Sequence, residues 1–112
     1  MKPGDDRQTI RHNFSDAVNM SPGELAKWLE TDESKAAGQH SARGGESVGH
    51  ESGRRIVGLL RRKQDELTDR DYAHMRKVVG YVHRHMAQRP RGDVSHTRWR
   101  HSLMNWGHDP LK

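Results

Sequence analysis

Between Thr68 and Pro90 the apolar side chains Tyr72, Met75, Val79, Val82 and Met86 recur at intervals of three and four residues. That spacing places them on one face of an α-helix, with Val78 at its edge. Thr68 is a suitable N-cap, Asp71 at N3 suits a capping box, and Leu67 can staple to Tyr72. Pro90 forces a stop near Gln88. A helix of this length with one apolar face needs partners, and the rest of the chain offers only more helices.

Four further segments carry the same period. Ile10, Phe14, Ala17 and Val18 form one stripe after Asp5-Asp6-Arg7-Gln8, and Asn19-Met20 breaks it. Ser21, Pro22 and Glu24 mark the next start as N-cap, N1 and capping-box partner, with Met20 and Leu25 as staple and Leu25, Trp28 and Leu29 as buried stripe. Thr31-Asp32-Glu33-Ser34 stops that helix or begins a short extra turn. Ser52 can cap a third helix carrying Ile56, Val57, Leu59 and Leu60. Gly58 inside it costs roughly 1 kcal/mol against alanine, for which a close helix contact would account. After the turn Pro90-Arg91-Gly92, Ser95 can cap a last short helix with Trp99, Leu103 and Trp106 on one side and Gly107 at its end. No strand alternation, internal repeat or heptad seam is present.

The expected fold is therefore all-α, a small bundle of four to five helices. The third and fourth are expected to form a helical hairpin, with the first pair packed on its apolar face. Residues 1–8 are expected to be a flexible N-terminus and 9–112 a single helical domain. Within it, residues 38–52 form a flexible glycine-rich loop, because Gly38, Gly44, Gly45 and Gly49 lie among Gln, His, Ser and Arg without periodicity. With 30% hydrophobic and 31% charged residues in 112, the core must be small.

The absence of cysteine removes disulfides and thiolate metal sites. No apolar run approaches the ~20 residues that span a bilayer, and the polar, acidic start is not a signal peptide. These features lead us to expect a cytoplasmic protein with no membrane partner.

Charge is distributed unevenly. Met1 to Gly53 holds 6 Lys/Arg against 9 Asp/Glu, a net of −3; Arg54 to Lys112 holds 14 against 6, a net of +8, together with six of the nine histidines. Such asymmetry suggests a basic face for an anionic partner. On the predicted fourth helix Arg70, His74, Lys77, Tyr81, Arg84 and Gln88 fall on a stripe roughly opposite the apolar one, with His85 beside it. A basic outer face with one aromatic can lie along phosphates, and Tyr81 could stack or hydrogen-bond there. It can equally be an ordinary solvated face. Ser52-Gly53-Arg54-Arg55, read as a helix N-terminus, would suit a phosphate, or Ser52 simply caps and the arginines are solvated. Arg98-Trp99-Arg100-His101 and Trp106-Gly107-His108 interleave aromatics with cations, but helical spacing favours docking of the tail onto the core.

Other patterns carry less chemistry. Gly45-Glu46-Ser47-Val48-Gly49 matches G-x-S-x-G without the strand, helix and sheet a nucleophile elbow needs. His83 and His85 at i and i+2 point apart on a helix, and His96, His101 and His108 lack a supporting carboxylate, so no metal site is expected. Arg91-Gly92-Asp93 reads as a turn. No catalytic residues and no cofactor are expected. Protonation of several histidines near pH 6 would strengthen anion binding on acidification.

The segments Asn19-Met20-Ser21-Pro22, Ser52-Gly53-Arg54-Arg55-Ile56-Val57, Asp71-Tyr72-Ala73-His74-Met75-Arg76-Lys77-Val78-Val79-Gly80-Tyr81-Val82 and Ser102-Leu103-Met104-Asn105-Trp106-Gly107-His108-Asp109-Pro110 resemble the domain of unknown function 3140 family. Members of that family have been labelled DNA-binding proteins, so the resemblance implies a nucleic-acid partner; it supplies no catalytic or cofactor residues. The expected function is a DNA-binding protein, or a binder of other nucleic acid, acting mainly through phosphate contacts. Arg54, Arg55, Arg70, Lys77 and Arg84 would touch phosphate, assisted by His74 and Tyr81. The competing expectation is a protein-interaction or self-association module, without catalysis, that pairs the acidic N-terminal part with the basic C-terminal part.

Overall fold

A computed structural model describes residues 6–37 and 46–112. Among the described residues six α-helices follow one another: α1 Arg7–Ala17, α2 Pro22–Leu29, α3 Asp32–Ala36, α4 Val48–Arg61, α5 Asp69–Met86 and α6 Arg98–Asn105, with a 3-10 turn at Gln64–Glu66. No strand occurs among the described residues, and no helix there is long and apolar enough to cross a membrane. The fold is all-α.

Local signals decide most helix starts. Ser21 accepts from the Glu24 backbone N–H at 3.1 Å and the Glu24 carboxylate accepts from Ser21 N, closing the expected box on α2. Thr68 and Asp71 do the same on α5. Thr31 caps α3, so the polar run after Leu29 does open an extra turn. Two starts differ from expectation. The α6 cap is Thr97 rather than Ser95, whose N–H donates to the Asp93 carboxylate within the Gly92 turn. The α4 cap is Ser47 rather than Ser52, and its hydroxyl accepts from His50 N at 3.1 Å. Ser52 and Gly53 are thus buried inside α4, and Arg54 and Arg55 stand mid-helix, away from any helix N-terminus. The helix also claims residues 48–52 of the expected loop; 38–45 lie outside the described residues. Arg7, expected in a flexible terminus, begins α1, pairs with Asp69 and lies over the Tyr72 ring.

Packing is nested. α1 lies along α5 and α2 along α4, while α6 touches α2, α3, α4 and α5. The expected α4–α5 hairpin is therefore not the main pairing. The two helices follow each other closely in the chain, but each finds its principal apolar partner in the first pair. Ile10, Phe14, Met75, Val78 and Val82 belong to the same core as Leu25, Leu29, Ile56, Val57 and Leu103. Val78, expected at the edge, is completely buried because α5 is covered from two sides. Full burial of side chains such as Leu25, Ile56 and Leu103 contributes roughly 1.5–3 kcal/mol each.

The α6 segment locks these pairs. Asn105, wholly buried, accepts from Trp28 Nε1 at 2.8 Å and Ser34 Oγ at 2.5 Å, and its Nδ2 donates to the Ser34 carbonyl at 2.9 Å. Gly107, at φ +81°, ends α6 and lies where a Cβ would meet Val18 at 2.9 Å. Beyond it His108 Nδ1 donates to the Ala17 carbonyl, and Asn19 and Asp109 exchange two hydrogen bonds. The tail residues expected to dock do dock, and they join the α1–α2 link to the C-terminal turn.

Candidate nucleic-acid interface

Ion pairing sorts the cations of the basic half into two groups. Arg54 gives both Nε and a terminal nitrogen to Glu46, Arg62 pairs with Asp71, Arg100 with Asp109 and Lys112 with Glu24. The Arg54 hydrogen bond holds the Glu46 carboxyl down at about 2, with a smaller contribution from His50, and Glu46 in turn raises the Arg54 guanidinium. Arg54 therefore does not stand with the other expected phosphate ligands. Its carboxylate partner lies eight residues earlier, just before α4.

Arg55, Arg70, Lys77 and Arg84 are exposed and make no ion pair among the described residues. Arg55 reaches across to the Arg70 carbonyl at 3.3 Å, so α4 and α5 present these two side chains together. From Arg70 to Arg84 the strip runs about 21 Å along α5, from the helical rise per residue.

His74 and Tyr81 are placed differently from the solvated face expected for them. Both are half-buried under α6. His74 Nε2 shares a hydrogen bond of 2.9 Å with Ser52 Oγ. Five rings form a near-parallel column along α5: His74 on Trp106 at 6.2 Å, Trp106 on Tyr81 at 4.2 Å, Tyr81 on His85 at 5.1 Å and His85 on Trp99 at 6.1 Å. Stacking of this kind adds roughly 0.5–1.5 kcal/mol per aromatic pair. It also occupies the faces of the inner rings, so Tyr81 is not available as a stacking platform. Burial raises the Tyr81 phenol, which stays protonated near neutrality.

His74 does not supply the acid-strengthened charge expected of the histidines as a group. Burial, with Arg55 and Lys77 nearby, pushes His74 down to about 4. Burial likewise lowers His85 and His101. His74 therefore stays neutral at pH 6, and acidification to that point leaves its part of the surface unchanged. His85 Nε2 is buried with no hydrogen-bond partner.

Between α4, α5 and α6 the surface is indented. One cleft of about 260 Å³ is lined by Val48, Gly49, Lys77, Tyr81, Arg84, Ser102, Asn105 and Trp106. A second, of about 220 Å³, adjoins it across Val48, Lys77 and Trp106 and adds Glu51, Ser52, Arg55 and His74. Arg55, Lys77 and Arg84 thus rim a depression rather than a plain helix face, while Arg70 lies beyond it, beside Arg55, Ala73, His74 and Lys77. Sequence reasoning missed Val48, Gly49, Ser102 and the indole edge of Trp106. The Trp106 spacing correctly announced packing, and nothing local announced that one edge of its ring would remain at a cleft. Ser47, in the G-x-S-x-G pattern, is 1% exposed and engaged as a cap. His101 packs against Trp28, and His83 is exposed while His85 turns into the ring column. No group of three metal-ligating side chains occurs among the described residues.

Residues 13–104 match the family described as "Protein of unknown function (DUF3140)". No curated protein and no solved structure matches the chain.

Proposed function

The chain belongs to the DUF3140 family of proteins of unknown function, and we propose that it binds nucleic acid, DNA in the first instance, through phosphate contacts made by Arg55, Arg70, Lys77 and Arg84. The observation that carries this reading is the sorting of charge. Carboxylates neutralise Arg54, Arg62, Arg100 and Lys112, while four cations along α5 and the adjoining turn of α4 have none among the described residues. An unneutralised strip about 21 Å long spans roughly six base steps of a duplex. Base readout is not part of the proposal, because α5 offers long flexible cations and few amide side chains on that face.

The test is a salt titration with duplex DNA, single-stranded DNA and RNA. Four phosphate contacts give a slope of about −3.6 in log K against log salt for a duplex and about −2.8 for a single strand. Lys77→Glu with Arg84→Glu should abolish binding at low salt, whereas Arg54→Gln should leave the slope unchanged. Absence of binding at low salt, or an unaltered slope in the double variant, defeats the proposal. Elution of such a non-binding protein as a dimer would favour self-association instead.

A further inference from the structure

We propose that the cleft between the first turn of α4, the middle of α5 and α6 is a socket for a phosphomonoester, supplied either by the phosphorylated end of a strand or by a nucleotide-sized molecule. The strand-end form rests on the nucleic-acid reading above; the socket itself does not.

Two kinds of donor converge there. Lys77 and Arg84 line the cleft and have no carboxylate partner among the described residues, and no carboxylate lines this cleft; Glu51 belongs to the adjoining one. The Trp106 indole is only 4% exposed, yet its N–H has no acceptor among the described residues. It points at the start of α4, 3.0 Å from where a Cβ on Gly49 would stand. The body of the side chain is buried while this N–H edge reaches the surface of the cleft, where an acceptor from outside can meet it.

The helix end adds to this. Val48 and Gly49 are the first two residues of a helix of 14. Ser47 satisfies the N–H of His50, while helix geometry leaves those of Val48 and Gly49 without intrahelical carbonyls. The positive end of the helix dipole lies on the same side. Gly49 has no Cβ to separate the indole from the helix end.

Charge and shape select the ligand. A phosphomonoester carries close to two negative charges near neutrality and three acceptor oxygens, which suits two cations, an indole N–H and a helix N-terminus. A backbone diester has one charge and no protruding phosphate. About 260 Å³ is at the small end of ligand pockets, enough for a phosphoryl group and the sugar behind it and too small for a duplex. Val48, 52% exposed at the lip, gives the ligand's less polar part a surface to rest on. Stacking is not the mode of recognition, because the faces of Tyr81 and Trp106 lie on each other and on the flanking histidines.

The experiment uses the full chain at about 0.1 M salt with two otherwise identical single-stranded DNAs, one with a 5′-phosphate and one with a 5′-hydroxyl. Thymidine monophosphate and inorganic phosphate are titrated in parallel, and both anisotropy and the Trp106 indole N–H resonance are followed. The phosphorylated strand should bind about tenfold or more tightly, a difference of about 1.4 kcal/mol, inorganic phosphate should erase that difference, and the Trp106 resonance should shift. Trp106→Phe, Gly49→Ala and the surface change Lys77→Gln should each reduce the preference. The last leaves the core untouched, so it reads the socket even if the first unfolds the protein. Mononucleotide binding as tight as that of the phosphorylated strand supports the socket and removes the nucleic-acid reading. Equal binding of the two strands, with the Trp106 resonance unmoved by phosphate, overturns the socket and leaves nucleic-acid binding standing. Failure of every ligand to bind overturns both.

Discussion

Gly53 and Gly58 lie five residues apart on α4, and the same substitution at the two should act in opposite directions. A Cβ on Gly58 would meet nothing within 4 Å, so the glycine there only weakens the helix. Gly58→Ala should stabilise by about 0.5–1 kcal/mol from helix propensity and reduced freedom of the unfolded chain. A Cβ on Gly53 would stand 2.5 Å from the Asn105 carbonyl oxygen and 2.6 Å from Leu29 Cδ2. The carbonyl is backbone and ends α6, so relief requires α4 to move away from α2 and α6 together. Overpacking of this kind costs about 1–3 kcal/mol or more. The local gain of about 1 kcal/mol is smaller than the upper part of that range, and a backbone neighbour places Gly53 in the upper part. Gly53→Ala should therefore destabilise by about 1–2 kcal/mol net. For 112 residues the unfolding entropy scale converts 1 kcal/mol into about 4 °C, so the two variants should melt about 6–12 °C apart. Urea denaturation and thermal melts followed by circular dichroism measure both. A Gly53→Ala protein as stable as the parent would show that the α4–α6 approach is not as close as described. The close contact invoked to explain Gly58 from sequence exists, but at Gly53.

Other perturbations test the remaining interior. Asn105→Ala strands Trp28 Nε1, the Ser34 hydroxyl and the Ser34 carbonyl, and should cost about 3 kcal/mol or more; a loss under 1 kcal/mol would mean that water replaces the network. His74 sets a pH dependence. Its folded value of about 4 lies below its unfolded value, so between about 6.5 and 4 the unfolded chain binds the extra proton and stability falls as pH falls. The full shift is worth about 3 kcal/mol, and screening of a half-buried ring reduces the expected loss to about 1–2 kcal/mol. Arg55, Lys77 and Asp71 are the charges around it, and His74→Gln should flatten that limb of a urea-midpoint profile; parallel profiles would exclude His74 as its source. Depressed Glu46, Asp71 and Asp109 contribute a separate loss in the same direction at lower pH, as their carboxylates take up protons. His85→Phe keeps a ring between Tyr81 and Trp99 while removing a buried nitrogen without a partner, and should stabilise by about 1 kcal/mol. Destabilisation on equilibrium unfolding would indicate that this nitrogen is satisfied after all.

What was legible in the sequence was local. The α2 and α5 starts carry side chains that close hydrogen bonds three residues away, and their stripes repeat within a single helix. The start of α4 was misread because Ser47 and Ser52 are both plausible caps, and glycines at 49 and 53 argue against a helix on propensity alone. Their reason is non-local: Trp106 on one, Asn105 and Leu29 on the other. The same distance in sequence hid the candidate site. Arg54 looked like a free cation because Glu46 sits eight residues away in an apparently irregular stretch. His74 and Tyr81 looked solvated because the helix that covers them comes later in the chain. Arg55, Arg70, Lys77 and Arg84 were legible as charges, but the cleft that Arg55, Lys77 and Arg84 rim depends on Trp106 and the first turn of α4.

The nested pairing has a consequence for how the chain reaches its native state. Asn105 bonds residues 71 and 77 positions upstream, and Asn19 and Asp109 close a loop of 90. Long loops of this kind must be closed before their contacts stabilise anything, which slows folding relative to a bundle of sequential neighbours. During synthesis α1 to α5 emerge before the helix that satisfies the Trp28 indole and covers Tyr81. The nascent chain therefore passes through a stage with the α6 seat open, its apolar and aromatic surface exposed. Chaperone capture or aggregation should concentrate on chains that have yet to release residues 98–110, and on variants that weaken the clasp between Asn19 and Asp109.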